Sequence, residues 1–135
     1  MSAKINNSKP ALERAYELDA KGREEDAIPW YQKALRAGVP ENELKHALIG
    51  LASSLRNVGQ PAKARRVIER ARRVFKADPA VEAFYALILR DLGDCDKALR
   101  VLGQAYLAHV QDERLLAYHS PLSRKLNALT RKKRH

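Results

Sequence analysis

Four histidines and one cysteine are the side chains here best suited to binding a metal or attacking a substrate. His46, His109, His119 and His135 are scattered, without the short spacings that gather ligands around one ion. Cys95 stands between Asp94 and Asp96. Neighbouring carboxylates oppose formation of the anionic nucleophile, so an inert, partly exposed thiol is expected. No cysteine cluster and no glycine-rich phosphate loop accompanies them. These patterns point away from an enzyme: no catalytic residue, metal or cofactor is expected.

Arginine offers recognition chemistry instead. Arg56 and Arg90 each precede a glycine, Gly59 and Gly93, by three residues. Two guanidiniums held at equivalent places can fork a carboxylate or phosphate by bidentate hydrogen bonds, a geometry lysine lacks. A local acid such as Asp91 can equally absorb them. A second concentration of charge comprises Lys63, Arg65, Arg66, Arg70, Arg72, Arg73 and Lys76, opposed by Glu69 alone. If Ala64, Val67, Ile68, Ala71, Val74 and Phe75 face a core, these cations fan over an outer helix surface. Such a strip, with the basic tail Arg131, Lys132, Lys133 and Arg134, suits nucleic-acid phosphates or anionic lipid headgroups. A solvated face is the plainer reading, since neither an aromatic stacking platform nor a nucleic-acid motif accompanies the charge.

The elements that position these groups follow from composition and spacing. The chain has 135 residues, 45% hydrophobic and 31% charged, with 6 glycines and 6 prolines. That suits one compact, largely helical domain. Net charge is +10, almost all of it beyond residue 60. The first residues lack the apolar run of a secretory signal, and Gly50, Ser53 and Ser54 interrupt the most apolar stretch, Ala47 to Leu55. A cytoplasmic protein without membrane insertion is expected.

An internal repeat sets the architecture. Gly22, Gly59 and Gly93 each lie seven residues after an alanine (Ala15, Ala52, Ala86) and five before another (Ala27, Ala64, Ala98). A third alanine (Ala34, Ala71, Ala105) follows twelve residues on, and a large apolar residue (Tyr31, Ile68, Leu102) nine residues on. The glycine ends one helix where positive φ is tolerated, and small residues let the next helix pack closely against it. The chain thus reads as three helical hairpins. Asp78-Pro79 and Ser120-Pro121 look like helix starts with a capping side chain followed by proline. Pro61 and Asp94 open second helices, and Pro29 sits inside one, where a mild bend is expected. Leu122, Leu126 and Leu129, beside Arg124 and Lys125, suggest an amphipathic helix over the open end of the stack.

This pattern resembles the tetratricopeptide repeat from about Ala11 to about Gln111. The run from Ala47 to Gly59, followed by Ala83-Phe84-Tyr85-Ala86-Leu87 and Asp91-Leu92-Gly93, looks like a group of short bacterial repeat proteins of unassigned function. The resemblance implies an all-α fold, with three hairpins (about 8–40, 41–78 and 79–111) in a right-handed superhelical stack. Capping helices over 112–130, a disordered N-terminus over 1–7 and a basic tail over 131–135 would complete it. It further implies a scaffold for protein or peptide partners whose first helices line a concave groove. In that register Lys9, Leu12, Tyr16 and Asp19, then His46, Ile49, Ser53, Arg56 and Asn57, then Ala83, Leu87, Arg90 and Asp91 face the groove. An acidic segment, held by Arg56 and Arg90 with apolar contact from Leu12, Tyr16 and Ile49, is the expected ligand. Some family members clamp a C-terminal carboxylate through Lys and Asn on the first helix. Leu12 and Tyr16 occupy those positions here, so that ligand is not expected.

Overall fold

A computed structural model describes residues 8–129, so the expectations for 1–7 and for the tail from 130 onward lie outside the described residues. Within them are eight helices and no strand: α1 (Ser8–Ala20), α2 (Glu24–Ala37), α3 (Glu41–Asn57), α4 (Pro61–Val74), α5 (Pro79–Asp91), α6 (Cys95–His109), α7 (Glu113–Leu116) and α8 (His119–Ala128). The packing is that of three hairpins, α1 on α2, α3 on α4 and α5 on α6, stacked through α2 against α3 and α4 against α5. The first helices also adjoin one another, α1 with α3 and α3 with α5.

The three glycine turns are built alike. Gly22, Gly59 and Gly93 have φ of 75°, 84° and 87°. Each donates its N–H to the carbonyl three residues back, on Asp19, Arg56 or Arg90. The next residue in turn donates to the carbonyl of Leu18, Leu55 or Leu89 at 2.8–2.9 Å. That paired closure is the Schellman motif, which satisfies carbonyls the helix end would otherwise leave bare. The leucines carrying the second carbonyl are all buried and pin each turn to the core.

Eight of the nine repeat alanines lie fully in the core, Ala15, Ala27, Ala34, Ala52, Ala64, Ala71, Ala86 and Ala98, while Ala105 is half-buried. The large residues set against them behave differently along the stack. Tyr31 and Ile68 are buried, but Leu102, at the matching place in α6, is 46% exposed. Among the described residues no helix stacks on that side of α6. Val74, expected in the core, also faces solvent.

Capping chemistry fixes most boundaries. Asp78 Oδ1 accepts from Ala80 and Val81 N–H at 2.9 and 3.1 Å, Asp94 accepts from Lys97 N–H, and Pro61 opens α4. Helix α2 runs unbroken through the solvent-facing Pro29. Ser120 does not cap α8, which begins one residue earlier after Tyr118. The Ser120 hydroxyl instead accepts from Arg124 Nη1 at 3.1 Å, so a side chain takes the oxygen a cap would need. Cys95 is the first residue of α6 and exposed, not part of the turn before it.

Asp78 also ties the second hairpin to the third, accepting from Lys45 Nζ at 2.6 Å. Burial pushes its carboxyl up, but the Lys45 bond and two backbone N–H groups outweigh this and hold it below the ordinary 3.8. A carboxyl that titrates lower when folded contributes stability in full above its unfolded value, and loses it as pH falls through the folded value. Asp78→Asn keeps a cap acceptor but loses the ion pair. Its thermal midpoint should therefore fall less than the parent's between pH 5 and pH 2. Asp78→Ala, which also loses the cap, should cost about 1 kcal/mol more at neutral pH.

Candidate partner-binding face

The row formed by α1, α3 and α5 carries two polar clusters. The first is aromatic. Tyr16 of α1 meets Tyr31 of α2 edge-on at 6.0 Å between ring centroids and His46 of α3 at 4.9 Å. Tyr16 Oη donates to Glu43 at 3.1 Å, and Tyr31 Oη donates to Asp19 at 2.6 Å. Burial, then the bond to a carboxylate, pushes both phenols well above the usual range, so each stays a neutral donor. Beside this cluster Ser8, Lys9, Leu12, Tyr16, Pro40 and Glu43 line a cleft of about 410 Å³ between α1 and the start of α3.

The second cluster is ionic. Asp91, in the last turn of α5, receives the Arg56 guanidinium from α3 through Nε and Nη2, and Arg90 Nη1 at 3.2 Å. A carboxylate at a helix C-terminus meets the negative end of the helix dipole, and the two arginines offset that. The Arg56 bond leads in holding Asp91 below the ordinary carboxylate range. Arg56 side-chain exposure is 27%, whereas that of Arg90 is 71%, so much of the Arg90 guanidinium faces solvent.

The expected groove residues divide accordingly. Leu12 is 4% exposed, in the core at the floor of the α1–α3 cleft rather than on the open face. Ile49 and Ser53 are half-buried, Leu87 is exposed, and Asn57 donates to Glu24 at 2.6 Å, linking the second hairpin to the first. Asp19 is engaged by Tyr31, and Arg56 is held by Asp91 instead of awaiting a ligand. The Tyr16–His46–Glu43 grouping was not visible in the chain as a unit, because Glu43 lies 27 residues from Tyr16.

The basic helix α4 is split rather than uniform. Arg65 pairs with Glu69 at 3.0 Å, and Arg72 reaches α5, donating through Nε and Nη2 to Glu82 at 2.6 and 2.9 Å and lying 4.1 Å above the Tyr85 ring. These two do not fan outward. Lys63, Arg66, Arg70 and Arg73, three or four residues apart and thus on one side of α4, are exposed and have no ion-pair partner among the described residues. Lys76 is likewise exposed. Among the described residues no group of three or more His, Cys, Asp or Glu could hold a metal ion, and no helix is long and apolar enough to cross a membrane.

Helical hairpins joined by matched glycine turns, with their first helices in one row, define a helical-repeat scaffold. The family model described as tetratrico peptide repeat matches residues 8–119, and the chain belongs to that family. Repeats of this kind serve as scaffolds for protein–protein interaction. No curated protein matches the chain.

Proposed function

We propose that the chain is a non-catalytic docking scaffold that holds an acidic segment of a protein partner along the row of α1, α3 and α5. The observation that carries this reading is the sharing of Asp91 by two arginines, which leaves the exposed Arg90 with donors to spare. Three of the neighbouring acids are already engaged, Asp19 by Tyr31, Glu43 by Tyr16 and Glu24 by Asn57, whereas Glu13 at the rim of the α1–α3 cleft is exposed. The row therefore offers Arg90, Lys9 and His46 outward, with Leu87 and the α1–α3 cleft for apolar contact. Fluorescence titration with an Asp/Glu-rich peptide interspersed with leucine tests it. Arg90→Ala should weaken binding about tenfold, the loss of one charge-assisted hydrogen bond, with helical content unchanged. Equal affinity of parent and variant would end the proposal. Arg90 is the better probe than Arg56, whose removal also uncouples two hairpins.

A second reading places a polyanion on the outer stripe Lys63, Arg66, Arg70 and Arg73, and it is favoured because none of those four has an ion-pair partner among the described residues, the nearby Glu69 being paired with Arg65. The same titration with a duplex oligonucleotide separates the two. Neutralising four phosphates gives a log–log salt slope of about −3.6, and no binding at low salt disposes of it.

A further inference from the structure

We infer that this chain forms a twofold-symmetric homodimer through the face of α6 that carries Leu99, Leu102, Tyr106 and Val110. These residues recur three or four positions apart along one side of the helix and its C-cap, with exposures of 55%, 46%, 53% and 36%. The repeat register identifies that side. Its counterparts in α2 are Ile28, Tyr31, Leu35 and Val39, which are buried or packed on the core beneath α3. Its counterparts in α4 include Ile68, buried, and Arg72, engaged by Glu82 and Tyr85 of α5. In both earlier hairpins this is the side on which the next first helix stacks.

Helix α8 does not fill the place. It lies against Gly103, Gln104 and Leu107: Leu126 packs on Gly103, Gln104 Nε2 donates to the Ser123 carbonyl at 3.3 Å and to Asn127 Oδ1 at 3.1 Å, and His119 meets the Leu107 carbonyl. At 100° per residue that is about a third of a turn round α6 from the exposed stripe.

The occupant is a second copy for three reasons. Head-to-tail stacking on α1 is unfavourable, because the outer face of α1 is charged, with Glu13, Arg14, Glu17 and Lys21 exposed and Glu17 paired to both basic neighbours. The four stripe residues carry no charge, and such a patch is complementary to itself about a twofold axis. The area also suffices. The four α6 side chains expose roughly 400 Å², already the size at which an apolar patch marks an interaction site. Leu116, Tyr118 and Leu122, C-terminal to the stripe, are exposed at 65%, 62% and 38%, and an interface that takes them in as well comes near the ~800 Å² each partner gives to a standard interface.

Sedimentation equilibrium of the full chain tests this. A species of twice 15.2 kDa is expected, and Leu102→Glu with Tyr106→Glu should raise the dimer dissociation constant at least a hundredfold. Circular dichroism should stay unchanged, since both side chains already face solvent. Cys95, the chain's one cysteine and exposed just before the stripe, supplies an independent readout. Antiparallel pairing of α6 about the middle of the stripe, between Leu102 and Tyr106, puts two spin labels there roughly 30 Å apart, from a 1.5 Å rise per residue and 8–10 Å between axes. A chain monomeric at high concentration, a dimer that survives the double substitution, or labels far beyond that separation would each overturn the inference.

Discussion

Tyr31→Ala should destabilise the chain by about 3–5 kcal/mol, with a fall in thermal midpoint of the order of 10–20 °C. The ring is 2% exposed and sits where α2 meets both α1 and α3. Removing it leaves a cavity bounded by three helices, none of which can collapse without disturbing another contact. It also strands Asp19, whose carboxylate lies in the last turns of α1 near the negative end of that helix and accepts from Tyr31 Oη. Tyr31→Phe separates the two effects: it keeps the packing and should cost only about 1–2 kcal/mol for the lost hydrogen bond. Urea unfolding of the three proteins measures both steps. A loss below 1 kcal/mol for Tyr31→Ala would mean that the hairpin junction is not closely packed.

Gly50→Ala is the second large effect, and its sign depends on Tyr31. A Cβ at Gly50 would stand 2.5 Å from Tyr31 Oη, 2.7 Å from Cζ and 2.9 Å from Cε1. The ring cannot yield easily, being buried and anchored at its hydroxyl by Asp19. Overpacking of this kind costs about 1–3 kcal/mol, more than the ~1 kcal/mol that alanine gains over glycine within a helix. In a Tyr31→Ala background the clash is gone and only the helix preference remains, so the same substitution should become stabilising. A double-mutant cycle without that reversal would contradict the contact. Gly103→Ala makes a useful contrast. Its Cβ would meet Leu126 Cδ1 at 2.6 Å, but this is the free end of a flexible side chain on the outermost helix. The cost should be smaller and confined to the docking of α8.

The hairpins, their glycine turns and the alanines at their contacts were legible in the chain because each depends on residues close in sequence. A Schellman closure needs only the six residues around Gly22, Gly59 or Gly93, and interhelical alanines announce themselves by fixed distance from that glycine. What escaped depends on which neighbour is present. Leu102 matches Tyr31 and Ile68 in spacing, but spacing records only the side a residue faces, not whether a helix lies there. Arg72 reads as one more outward cation until α5 brings Glu82 and Tyr85 beneath it. Leu12 and Tyr16 are one turn apart on α1, and a modest rotation decides which enters the core; here Leu12 does. Ser120-Pro121 carries the right residues for a helix start, yet the chain already turns into α8 at Tyr118, and the hydroxyl bonds to Arg124. For the binding row, Arg90 and His46 are exposed, and Arg56 is taken up by Asp91, the local acid that the chain offered as an alternative to a ligand, across a separation of 35 residues.

The stacking pattern bears on how the molecule acquires its shape. Helices meet chiefly their immediate successors, with lighter contact to the helix after next. Assembly therefore never requires distant parts of the chain to find one another first, and the entropic cost of closing each loop is modest. The central α3–α4 hairpin has a neighbour on either flank, so order is expected to spread outward from it and to be lost first at the two extremities.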